Sequence, residues 1–197
     1  MARGRPREFD VDEVLQAALN VFWGKGYEGA TMADLREATG LQPGSIYAAF
    51  GSKAGLFAQV VDRYVATSFS YGAHSLEADS VREVVRRWLT GATKSSTGEA
   101  TPAGCLLVQG ALVTGDAARE VGQDLCDRRK AAQVMLTERF AQAQESGDLA
   151  SDVEPRDAAR YVVALAEGIA VEAASGAGRE TLLSLVDLTM RRLPWEA

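Results

Sequence analysis

Apolar residues recur along most of this chain with the period of a helix, and no stretch of any length alternates with the period of a strand. The first run is the clearest: Val11, Val14, Leu15, Ala18, Leu19, Phe22 and Trp23 fall on one face. Asp10 is placed to cap it, Glu13 holds the capping-box position, and Lys25 with Gly26 supplies the cation and glycine that favour a helix end. Thr31, followed three positions on by Asp34, opens a short second helix that Gly40 closes. A third starts at once, because Pro43 suits a first turn, where its missing N–H loses nothing, and Gln42 precedes it as cap. Ile46 and Phe50 make its inward edge, which leaves Gln42, Ser45, Tyr47, Ala48 and Ala49 facing out. Gly51 and Ser52 break the pattern, and a fourth helix is expected over 53–69.

Five further helices are expected in the remainder. Ser80 and Glu83 form a capping box for 80–94, the polar run from Lys94 to Glu99 reads as a loop, and an apolar helix follows over 104–113. A long helix over 116–145 turns Val121, Leu125, Ala132, Met135, Leu136, Phe140 and Ala143 inward, and Ser146-Gly147-Asp148 ends it. Pro155 starts a helix to about Ser175, and a last one over 179–193 stops at Pro194. The chain therefore reads as all-α, with about nine helices and no internal repeat.

The chain's 197 residues, 47% of them hydrophobic, suffice for a proper core without disulfides or a structural metal. Two cysteines and one histidine make neither a disulfide framework nor a zinc site, so no metal or cofactor is expected. With no run of 18 apolar residues to span a bilayer and no apolar segment after Met1 to serve as a secretion signal, a cytoplasmic protein off the membrane is the expectation. The net charge of −6 argues against a polyanionic partner until its distribution is considered. Residues 1–7 carry Arg3, Arg5 and Arg7 with no acid, and residues 38–53 carry Lys53 with no acid, so a basic end sits on an acidic body. An enzyme is disfavoured: there is no acid pair, Ser-His-Asp set, metal spacing or phosphate loop. An architectural protein coating DNA is disfavoured by the acidic body.

The stretch from Thr31 through Leu41, Gly44-Ser45-Ile46-Tyr47 and Phe50-Gly51-Ser52-Lys53, preceded by an amphipathic helix and the pair Gly26-Tyr27, resembles the N-terminal signature of TetR-family regulators. The resemblance implies a helix-turn-helix head over 1–52 and an effector-binding and dimerisation body over 53–197. It further implies a homodimer that represses from a palindromic operator and is released by a small molecule. The second helix of such a motif enters the major groove, so Gln42 and Ser45 are candidate base readers, with Ala48 offering a methyl contact to thymine. Pro43 and Gly44 shape the approach, Tyr47 orients on a phosphate, and Thr31 and Lys53 sit at helix N-termini suited to phosphates. Arg3 and Arg5 resemble a basic arm for the minor groove, against the plainer reading of a solvated tail.

The family places a cavity among the middle helices, for which Tyr64, Phe69, Trp88, Leu107, Gln109, Leu112, Met135 and Glu167 are the candidates. It places the dimer interface on the last two helices, where Val162, Leu165, Ile169, Leu182, Val186 and Met190 are the candidates. The helix from Val162 to Ala174 is apolar nearly all round, as one buried on two sides must be. Cys105, at the start of an apolar helix, has two readings: a thiol that senses oxidants or electrophiles, or a small buried hydrophobe. Cys126 has no activating neighbour, His74 reads as a solvated loop residue, and Trp195 either packs on the dimer surface or hangs free. Two departures from the family pattern stand out. Ala48 and Ala49 replace bulkier side chains, and Ala54-Gly55 either loosens the fourth helix or permits close packing there.

Overall fold

In the computed structural model, which describes residues 9–99, 101–112 and 118–192, every element is helical. The N-terminal end holds α1 (Val11–Gly29), α2 (Met32–Thr39) and α3 (Pro43–Phe50), followed by α4 (Lys53–Ala66). Then come α5 (Tyr71–Leu76), α6 (Val81–Ser96), α7 (Leu106–Leu112), α8 (Arg119–Glu145), α9 (Pro155–Ala174) and α10 (Arg179–Arg192). Arg3, Arg5, Arg7 and Trp195 lie outside the described residues.

The caps act where the sequence puts them. The Asp10 carboxylate accepts the amides of Asp12 and Glu13 at 2.8 and 3.3 Å. Thr31 and Asp34 form a complete capping box on α2, and Gly40 closes that helix at φ 71°. Gly26, also at φ 71°, interrupts α1, so its regular part ends where Lys25-Gly26 predicted and three residues of turn follow. Ser80 caps α6, but the Glu83 carboxylate bonds Arg87 at 2.8 Å instead of returning to Ser80.

Three expected boundaries change. The fourth helix ends at Ala66 rather than 69; Thr67 Oγ1 joins its own amide on the Arg63 carbonyl at 2.8 Å, and Ser70 Oγ bonds the Thr67 carbonyl at 2.6 Å. The chain then forms the short tenth helix, α5, so His74 is helical, with Nδ1 2.8 Å from the Ser70 carbonyl oxygen. Lys94–Ser96 belong to α6 and not to a loop: Ser95 Oγ bonds the Ser68 carbonyl at 2.8 Å, and Ser96 is buried.

The interior has two parts. One gathers Leu15, Leu19, Phe22 and Trp23 of α1, Leu35, Ile46, Phe50, the inner face of α4, and Cys105 through Val108. The other joins α6, α8, α9 and α10 around Trp88, Leu136, Phe140 and Val162. The expected boundary at 52/53 thus follows the chain rather than the packing, since Leu56, Phe57, Val60, Val61 and Tyr64 complete the core under the first three helices. At Gly55 the choice between looseness and close packing is decided by sterics: a Cβ would lie 2.1 Å from the Phe50 carbonyl oxygen. Glycine is what lets α4 leave α3 at this angle.

Replacing Gly55 by Ala is expected to cost about 1–3 kcal/mol of stability, because backbone must move to admit one methyl. Gly44→Ala, which meets nothing within 4 Å, should instead be neutral or gain up to about 0.5 kcal/mol. Urea unfolding of the two variants decides it; equal shifts would refute the steric account of position 55.

Candidate functional site

The third helix divides its residues as its pattern requires. Ile46 and Phe50 are buried against α1 and α4, while Gln42, Gly44, Ser45, Tyr47 and Ala48 are exposed and Pro43 half-exposed. Gln42 occupies the cap position without a side-chain cap bond, so its amide is free to reach outward as donor and acceptor. Ala49 differs from expectation: it is half-buried and packs against the core, which leaves Ala48 as the outward methyl.

Thr31 is more committed than its position suggested. Its Oγ1 accepts the Asp34 amide at 3.1 Å and donates to the Asp34 carboxylate at 2.8 Å, so no hydroxyl proton remains for a phosphate. Only the backbone amides of the first turn could serve one. The Lys25 ammonium, 2.6 Å from Asp34, and the bonds from Thr31 hold that carboxyl well below the usual carboxylate range. Lys53 stands over the Tyr27 ring, its Nζ 4.6 Å from the centroid, and burial lowers its pKa. The ring fixes a long side chain at the start of α4, an orientation that no spacing in the sequence announced.

In the body, α4 to α9 enclose a cavity of about 40 Å³. Tyr64, Phe69, Trp88, Leu107 and Glu167 line it, together with Tyr71, Ser95, Cys105 and Arg129, which were not among its candidates. Of the remaining candidates, Met135 is 39% exposed on the outer side of α8, one position out of phase with Leu136. Gln109 turns toward Gly104, with its buried Oε1 unpaired among the described residues, and the Leu112 side chain lies outside the described residues. Phe69, Tyr71 and Trp88 form an aromatic wall, with ring centroids 5.0, 6.0 and 6.1 Å apart. The wall exists because Gly91 has no side chain: a Cβ there would lie 2.5 Å from Tyr71 Cγ. A glycine inside the well-formed α6 was the readable sign of this close approach.

Tyr64 belongs to cavity and head together. Its hydroxyl donates to Cys105 Sγ at 3.2 Å, and its ring packs edge-on against Trp23 of α1, with centroids 5.0 Å apart. The buried Trp23 Nε1 has no hydrogen-bond partner among the described residues. Burial pushes the Cys105 thiol up, outweighing the lowering by Tyr64 and by the amides of Val108 and Leu107, so the sulfur keeps its proton. Arg129 of α8 and Glu167 of α9 pair at 2.7 Å beside the same space.

The last two helices also need correction. Val162, Ile169, Leu182, Val186 and Met190 are each at most 2% exposed, and Leu165 packs partly buried against the same core, so these side chains fill the chain's own interior. The large apolar side chains that α9 and α10 expose are Tyr161, Val171 and Leu188, at 48%, 45% and 46% exposure. Among the described residues no helix is long and apolar enough to cross a membrane, and no group of side chains could hold a metal ion.

A model of the bacterial regulatory proteins of the tetR family matches residues 14–60, and one of the tetracyclin repressor-like C-terminal domain matches residues 78–180. The HTH-type transcriptional repressor ComR of Escherichia coli (strain K12) is 30% identical over 98% of this chain and 93% of its own length. The repressor BdcR of the same strain is 37% identical over 54% of this chain and 55% of its own. Among solved structures, a cysteine mutant of the TetR family transcriptional regulator CifR, complexed with 26bp double-strand operator DNA, has a TM-score of 0.92. It is 37% identical and covers 97% of this chain and 100% of that one.

The protonated state of Cys105 predicts slow alkylation. With Cys126→Ser removing the other thiol, the iodoacetamide rate of the folded protein should still be climbing at pH 9.0, the ordinary thiol value. A plateau below neutral pH would mean an activated thiolate instead.

Proposed function

The chain belongs to the TetR family and is a transcriptional regulator, and from that premise we propose that it binds a palindromic operator as a homodimer and is released by a small molecule in the aromatic cavity. The observation that carries this reading is the shared position of Tyr64, which touches the cavity's sulfur on one side and Trp23 of the first helix on the other. An occupant that binds two arrangements of Tyr64 with different affinity biases the placement of α1 and α4, and through them α3. Couplings of this kind are worth about 1–3 kcal/mol. Repression as the sign of regulation follows ComR and BdcR, which are repressors by name.

On the DNA, Gln42 and Ser45 read base edges, Ala48 offers its methyl to thymine, and Pro43 and Gly44 keep the start of α3 slim enough for close approach. Tyr47, Lys53 and the first amides after Thr31 hold phosphates, and Arg3 and Arg5 reach the neighbouring minor groove. The head comprises 1–52 and the body 53–197, with α4 as the lever shared by both. Two copies meet through α9 and α10, with Tyr161, Val171 and Leu188 in the contact; their exposed apolar area is what a self-complementary face requires. We read the protein as a cytoplasmic regulator and not an enzyme.

A second reading, capture of an oxidant or electrophile by Cys105, is favoured by the sulfur's place on the cavity wall and by the Tyr64 hydrogen bond. Burial of the thiol as its neutral form weighs toward the non-covalent reading. If Cys105→Ser keeps the parent's response to diamide and methylglyoxal, the thiol reading falls.

Footprinting on a selected operator should show two protected half-sites at fixed spacing. Gln42→Ala and Ser45→Ala should each cost about 1–3 kcal/mol of operator affinity and relax preference at one base position per half-site. Lys53→Ala should weaken all sequences alike and lower the salt slope by about 1 per subunit. Unchanged affinity in all three variants would overturn the placement of α3 in the groove.

A further inference from the structure

Several polar groups around the cavity already have partners. The Tyr64 hydroxyl donates to Cys105, the Ser95 hydroxyl to the Ser68 carbonyl, and Arg129 Nε to the Glu167 carboxylate at 2.7 Å. Ser96 lines the space as well, and its hydroxyl makes no hydrogen bond among the described residues. The Tyr71 hydroxyl is the larger side chain's free donor. It makes no hydrogen bond among the described residues, and its ring lines the cavity between Phe69 and Trp88. Burial and the neighbouring Cys105 raise its pKa well above the ordinary value, so it is a donor at any physiological pH.

We propose, on the reading of this cavity as the effector site, that it takes a small uncharged molecule with an apolar body and one acceptor oxygen. That oxygen receives the Tyr71 hydroxyl, and Gly91 sets the size limit. Three observations fix this class. The walls are aromatic and aliphatic, which favours an apolar body. The ion pair leaves no net charge on the wall, so neither an anion nor a cation is favoured over an uncharged molecule. The free space of about 40 Å³ is well under the ~150 Å³ of an engineered apolar cavity that binds benzene, so the occupant is a molecule of a few heavy atoms. Nucleotides, sugars and peptides are excluded by size and by the scarcity of polar partners.

Gly91 enters because the Tyr71 ring lies directly on it, with Cβ and Cγ at 2.6 and 2.5 Å from where a side chain would begin. Any residue but glycine displaces the ring that carries the donor. The size and the polarity of the site therefore depend on one contact between α5 and α6.

Three probes of one shape test the class on the full-length protein: butanone, its hydrocarbon isostere with methylene in place of the carbonyl oxygen, and propanoate as the charged analogue. Affinities come from amide NMR shift titration, with operator affinity measured in parallel. The parent should bind butanone about tenfold more tightly than either other probe, as one hydrogen bond in a dry site allows. Tyr71→Phe should erase the preference over the hydrocarbon while leaving hydrocarbon binding within about twofold. A structural role for Tyr71 would weaken both probes alike. Gly91→Ala should abolish binding of both. Propanoate binding as tight as butanone's, loss of both probes together in Tyr71→Phe, or undiminished binding in Gly91→Ala would each overturn the proposal. Butanone bound in the expected pattern with operator affinity unchanged would uphold the ligand class and sink the coupling proposed above.

Discussion

The core beneath the first helix and the wall of the cavity share one phenol. Tyr64 is 1% exposed, and it can be neither removed nor turned without unsettling both sides: its ring supports Trp23 beneath the first helix, and its hydroxyl holds the sulfur that faces the cavity. The surface contacts around it are accessory. Arg63 ties α4 to Asp12 of α1 at 2.7 Å, and Arg128 ties Asp62 of α4 to α8 at 2.8 Å. Exposed pairs of this kind are worth at most about 1 kcal/mol each. They set the direction of α4, whereas the aromatic packing fixes its depth. A three-helix head of this size has a small core, and it gains five apolar side chains from α4. The price is that the head cannot move independently of the helix on which the cavity opens.

The electrostatic problem of an acidic protein approaching DNA is met locally. The exposed face of α3 carries no charge of either sign, so no carboxylate stands where bases are read. The single lysine that opens α4 is held over the Tyr27 ring, which limits its rotamers before any phosphate arrives. At α2 the carboxylate of the capping box is the local liability, and the Lys25 ammonium offsets it at 2.6 Å.

What could be read in the sequence was whatever depends on short-range pattern. Caps at Asp10, Thr31 and Ser80, the stop at Gly40 and the inward pair Ile46 and Phe50 follow from neighbours within one or two turns, and each is found in place. The family's helix-turn-helix signature was equally legible, because its spacing is itself local. The cavity was not. Its wall is made by Tyr71 meeting Gly91, twenty residues apart, on a helix that begins without a side-chain cap bond and so gave no start signal. The outer helices failed for another reason. When a helix is apolar nearly all round, periodicity cannot say which side meets its own core, and Val162 and Ile169 lie inside while Tyr161 and Val171 lie outside. Met135 shows how narrow the margin is, since a step of one residue moves a side chain about 100° round the helix.

The unpaired indole nitrogen of Trp23 bears on how easily this molecule changes state. A buried donor without an acceptor raises the free energy of the arrangement that contains it by about 1–3 kcal/mol. That penalty falls on the present seating of α1 against α4 alone; any displacement that brings an oxygen or water to the nitrogen recovers it. The seating of α1 against α4 is thus favoured over its alternatives by less than its packing alone would give. Even a ligand of a few atoms, whose binding free energy is limited by its size, then works against a smaller gap.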